Sequence, residues 1–111
     1  MHFRVFYFFG RSGESVASTA PMEMSAKAIR DQLLCRLHSE DDYLGIMDAG
    51  DNLLQILRVP NEDRYWVELP LEAAKASFGR YMVLTEVEEL ILGLPPVLGR
   101  GRIPGMEYRP W

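Results

Sequence analysis

The stretch Asn52–Leu71, NLLQILRVPNEDRYWVELPL, decides the architecture. Two apolar, β-prone runs flank the turn cluster Pro60-Asn61-Glu62-Asp63. Proline presets φ for the second position of a turn, and Asn and Asp side chains bond back to nearby backbone. The pattern predicts strands at Leu53–Val59 and Arg64–Leu69, joined as a hairpin. Leu53, Gln55, Leu57 and Val59 share one face, and Leu54, Ile56 and Arg58 the other. A strand apolar on both faces belongs in the middle of a sheet. Pro70 has no ladder donor and is expected to end the second strand. Trp66 and Tyr65 supply large areas for core or interface packing. Gln55 and Glu68 have two readings: an acid–base pair across the hairpin, or a strand-end Glu68 paired with Arg58 or Arg64. We take the second, so no catalytic role is expected.

Upstream, Phe3–Phe9 reads as a strand with Phe3, Val5, Tyr7 and Phe9 on one face and Arg4, Phe6 and Phe8 on the other. Both faces turn apolar after Arg4, which suits an interior strand. Gly10–Pro21, small and polar, reads as a linker. Its Gly10-Arg11-Ser12-Gly13 lacks the Gly-Lys-Ser/Thr ending of a phosphate-binding loop. Ser25–His38 reads as a helix with Ser25 as N-cap and a stripe of Ala26, Ile29, Leu33 and Leu37. Cys35 reads as a small packing residue, since no His is placed to activate it. Tyr43–Asp48 is the next strand. Downstream of the hairpin, Arg80–Leu84 is a short strand, and Thr85-Glu86-Val87-Glu88 matches a capping box opening a helix to Leu92. Pro96–Trp111, PVLGRGRIPGMEYRPW, shows no period yet keeps Tyr108 and Trp111. It reads as an irregular tail that covers apolar surface or reaches a partner.

The resulting order is β-α-β-β-β-β-α. Sequential strands pair as antiparallel neighbours, so we expect a two-layer α+β domain over residues 1–95. Its sheet has about five strands with both helices on one face, and residues 96–111 follow as the tail.

The chain has 111 residues, one Cys and a net charge of −4. That length makes one domain, an internal disulfide is excluded, and nucleic acid is a disfavoured partner. No apolar run approaches the ~20 residues of a membrane span, and the N-terminus lacks signal-peptide features, so a cytoplasmic protein is expected. Between His38 and Ala76 nine acids face three bases. Such a segment reads first as a solvated surface that favours solubility and, as the functional alternative, as one that steers toward a basic partner. The acids of the turns, Glu40, Asp41, Asp42, Asp48 and Asp51, are therefore the candidate contacts, with Trp66 and Trp111 as aromatic anchors. Their spacing does not match a calcium loop, a single Cys excludes Cys₂His₂ zinc, and no cofactor is expected.

Leu53-Leu54-Gln55, Tyr65-Trp66-Val67-Glu68 and Thr85-Glu86-Val87 form a strand, a strand and a helix start in succession. In this order the middle of the chain, Tyr43–Pro95, resembles small bacterial immunity proteins that neutralise nuclease or deaminase toxins of polymorphic toxin systems. Leu54 stands where those proteins have Phe. The resemblance implies an α+β binder without catalysis that occludes a toxin's active site, and the acidic segment suits a basic toxin. Two alternatives stay open: a structural or regulatory homodimer, and a small-molecule binder with an aromatic cavity near Gln55, Glu68 and Trp66.

Overall fold

A computed structural model describes residues 2–99 and 103–111. Among these residues eight strands form one sheet: β1 His2–Phe9, β2 Glu14–Val16, β3 Met22–Ser25, β4 Tyr43–Met47, β5 Leu53–Arg58, β6 Arg64–Leu71, β7 Ala76–Val83 and β8 Glu107–Pro110. Their order is β2-β1-β4-β5-β6-β7-β8, and β3 pairs with β1 beside β2. Every pairing is antiparallel. β3 and β4 flank β1 and therefore run parallel to each other, which requires a crossover. The helical segment α1, residues 26–36, supplies it. Ser25 caps α1 by accepting the Ala28 N–H at 3.1 Å. The segment then passes through a π-helical turn, Ile29–Leu33, and a 3-10 turn, Leu34–Arg36. This change of winding turns Leu33, Leu34 and Leu37 all inward and leaves Cys35 exposed, contrary to its expected packing role. A second helix, α2 (Leu84–Leu92), touches α1, so both lie on one face of the sheet.

The core lies between that face and the helices. Phe3, Val5, Tyr7 and Phe9 of β1 point into it, with Leu44 and Ile46, Leu54 and Ile56, and Tyr65, Val67 and Leu69 beside them. Ile29, Leu33, Val87 and Ile91 close it from the helix side. No helix among the described residues is long and apolar enough to cross a membrane.

The sheet differs from the expected five strands in three respects, two that add strands and one that lengthens a strand. First, the Gly10–Pro21 linker contains β2, and β3 follows it directly. The Gly13 N–H bonds to Phe9 O at 2.9 Å, and Gly13 has φ 72°, so the chain reverses immediately after β1. β2 and β3 are edge strands of three and four residues, too short to show a period. Second, β6 continues through Pro70 to Leu71. The β5 ladder stops at the Gln55–Glu68 pair while β7 stays paired to the end, so Pro70 lies on a one-sided stretch where proline is tolerated. Third, the tail is not wholly irregular: Leu98 and Ile103 enter the core, and β8 pairs with β7. Its Arg100 and Arg102 lie outside the described residues. The helix start also moves. α2 begins at Leu84, and Glu86, not Glu88, accepts the backbone N–H of the N-cap Val83 at 3.0 Å. Valine cannot return the bond, so half of a capping box forms, two residues upstream of the Thr85 motif.

Candidate protein-binding face

The side of the sheet opposite the helices has no layer over it among the described residues. Strand alternation fixes what it displays. One cross-strand row runs Phe8, Tyr43, Leu57, Trp66, Tyr81. The neighbouring row runs Phe6, Gly45, Gln55, Glu68, Gly79, Glu107. Arg4, Met47, Leu53, Pro70, Ser77 and Arg109 lie beyond it. The two glycines let aromatic rings lie flat on the backbone. A Cβ on Gly45 would overlap the Phe6 ring, and one on Gly79 would overlap the Trp66 ring. Tyr43 packs against both Phe6 and Phe8, with centroids 6.1 and 6.2 Å away. Trp66 and Tyr81 are 4.9 Å apart, and the Arg109 guanidinium sits 4.9 Å from the Trp66 centroid while Arg64 sits 4.4 Å from that of Tyr81.

In the middle are the polar residues. Glu68 is opposite Gln55, as the hairpin pattern allowed. Its carboxylate accepts the Trp66 Nε1–H at 2.9 Å. The expected pairing with Arg58 or Arg64 does not form. Arg58 turns to Tyr65 and Asp63, and Arg64 pairs with Glu62 at 2.7 Å. Among the described residues no cation lies within ion-pair distance of Glu68, and the Gln55 amide has no hydrogen-bond partner. The centre of the face thus holds a carboxylate without an ion pair and an amide without a hydrogen-bond partner among the described residues, ringed by aromatic and aliphatic side chains.

Two of the five acids expected as contacts, Asp42 and Asp48, are buried and cap backbone instead. Asp42 is fully buried; it accepts the N–H groups of Gly10 (2.9 Å), His38 (2.8 Å) and Ser39 (3.1 Å) and the Ser39 hydroxyl (2.9 Å). It ties the end of β1 to the end of α1. Asp48, 2% exposed, accepts the N–H groups of Gly50, Asn52 and Leu98 and the Asn52 side-chain amide, all within 2.8–2.9 Å. It ties the β4–β5 turn to the tail. Neither carboxylate is free to meet a partner. Asp51 pairs with Arg4. Glu40 and Asp41 are exposed, with no partner among the described residues. Trp66 lies in the face, and Trp111 reaches its rim, where its Nε1–H donates to Ser77 Oγ at 2.8 Å.

Burial alone would raise the pKa of Asp42 and Asp48, but the hydrogen bonds each accepts outweigh it and hold both carboxyls below the usual carboxylate range. A lowered folded-state pKa adds stability that is present above the unfolded value, about 3.9, and disappears as pH falls through the folded value. Urea midpoints are therefore expected to stay level from neutral pH to about 5 and to fall below about 4. The fall should be shallower in D42N and D48N.

A cavity of ≈ 500 Å³ lies at the end of β5–β7, between Leu53, Leu69, Leu71, Phe78 and Leu98. It includes none of Gln55, Glu68 and Trp66, around which the small-molecule alternative placed its cavity. Comparison with protein-family models, curated proteins and solved structures returned no significant match.

The acids drew attention in the sequence because they cluster, and for Asp42 and Asp48 the place in a turn reflects backbone capping. Phe6, Phe8, Tyr43, Leu57, Tyr81 and Arg109 were missed as members of the face. Their signal was present: strands apolar on both sides need a second cover, and the second helix goes to the same side as the first.

Proposed function

We propose that the chain is a non-catalytic protein-binding domain of the immunity-protein kind, which captures a basic toxin domain on the uncovered face of the sheet and occludes it. The observation that carries this reading is Glu68, without an ion pair among the described residues, at the centre of an aromatic face. A partner that seats a Lys or Arg there, within an apolar surround, satisfies Glu68 and Gln55 and excludes water from the pair. Buried Trp, Tyr and Arg at the centre with a charged rim is the composition of an interface whose energy is concentrated in few residues. Arg4, Asp51, Glu62, Arg64 and Glu107 supply that rim. In this reading the chain works in the cytoplasm, binds no cofactor and contacts its partner through the face rather than through Asp42 and Asp48.

Growth rescue tests it. On this proposal a neighbouring gene encodes the toxin domain; cells expressing it are expected to survive with the wild-type chain and with E40Q/D41N, and to die with E68K. Full rescue by E68K, at equal expression and with an unchanged unfolding midpoint, would overturn the reading.

A further inference from the structure

We infer that a second copy of this chain pairs on the free edge of β8, joining two sheets into one. β8 ends the strand order, and among the described residues its outer edge has no neighbour. The Trp111 N–H bonds to Lys75 O at 2.8 Å. In an antiparallel ladder of this register the backbone groups of Glu107, Arg109 and Trp111 turn toward β7, and those of Met106, Tyr108 and Pro110 turn outward. Pro110 thus costs β7 nothing, and the Tyr108 N–H and C=O are both offered to a new strand.

The side chains select the occupant. A twofold pairing centred on Tyr108 sets Glu107 opposite Arg109 of the second copy, and Arg109 opposite its Glu107. Both pairs fall at the closer, non-hydrogen-bonded positions, about 4.5 Å between Cα atoms. Sliding the centre to Glu107 or to Arg109 sets like charges against each other, which disfavours those registers. Within one chain the same two residues make only a loose ion pair at 3.8 Å, and both side chains are substantially exposed. The edge is therefore self-complementary, as a twofold contact requires. The twofold axis stands normal to the sheet, so the uncovered faces of the two copies lie side by side and form one wider surface. This pairing stands whether or not that face binds a toxin.

Sedimentation equilibrium of the full chain at micromolar concentration tests it. The expected species has twice the chain mass of 12.7 kDa. E107R and R109E, both at exposed positions, should each weaken self-association about tenfold, because two favourable pairs become two unfavourable ones. Mixing the two variants restores opposite charges across the edge and should restore the dimer. A wild-type chain that sediments as a monomer throughout, single variants that associate as tightly as wild type, or a mixture that stays monomeric would each overturn the inference.

Discussion

D48A is expected to lower stability by about 3–5 kcal/mol, the range for removing one side of a buried, charged hydrogen-bond network. The size follows from what the carboxylate does. It satisfies four donors at once, and one of them, the Leu98 N–H, is buried and comes from fifty residues away. Alanine leaves that N–H without an acceptor and removes the charge that holds the β4–β5 turn. D48N keeps one acceptor oxygen but presents an amide N–H to a donor, so it should lie between wild type and D48A. Urea unfolding gives the free energy, and hydrogen exchange at the Leu98 amide reports release of the tail. A D48A chain within about 1 kcal/mol of wild type would show that the tie is unimportant, since that is the ordinary effect of a point mutation.

I103A is expected to cost about 2–5 kcal/mol, as large-to-small changes in a packed interior do. Ile103 is 1% exposed and belongs to the same cluster as Leu98, Val87 and Ile91. Arg80 fixes the next residue by donating to Pro104 O at 3.3 Å. The side chain therefore anchors the segment that delivers β8 to β7. If residues 96–111 were an accessory tail, I103A would leave the urea midpoint unchanged. Its effect should instead match that of a residue in the first ninety-five.

These two residues also mark what the sequence shows and what it hides. The alternation in Phe3–Phe9 and in Asn52–Leu71 follows from local geometry, so the faces of β1, β5 and β6 were legible. The Gln55–Glu68 opposition was legible too, since a hairpin loop sets its register. The tail was not. Leu98 and Ile103 lie in a stretch dominated by Pro, Gly and Arg, and the Leu98 N–H is held by an Asp half the chain away. β2 and β3 were hidden for a related reason: three- and four-residue edge strands are defined by their neighbour. Asp42 and Asp48 misled because charge in a sequence is read as exposed charge. Asp42 and Asp48 each follow or precede a tight turn, where an Asp that accepts backbone N–H groups is often a cap. The uncovered face could not be located before the side of the sheet holding both helices was known.

The most direct measurement is calorimetric affinity for a basic toxin domain that the wild-type chain is found to bind, as the proposed function requires, comparing wild type, W66A, E68K and E40Q/D41N. Truncating a central anchor should cost about 2 kcal/mol or more, so W66A and E68K are expected to bind at least about thirty-fold more weakly. E40Q/D41N, off the face, should stay close to wild type. The opposite pattern, with wild-type affinity in W66A and E68K and loss of binding in E40Q/D41N, would place the contact on the acidic turn and contradict the assignment of the uncovered face.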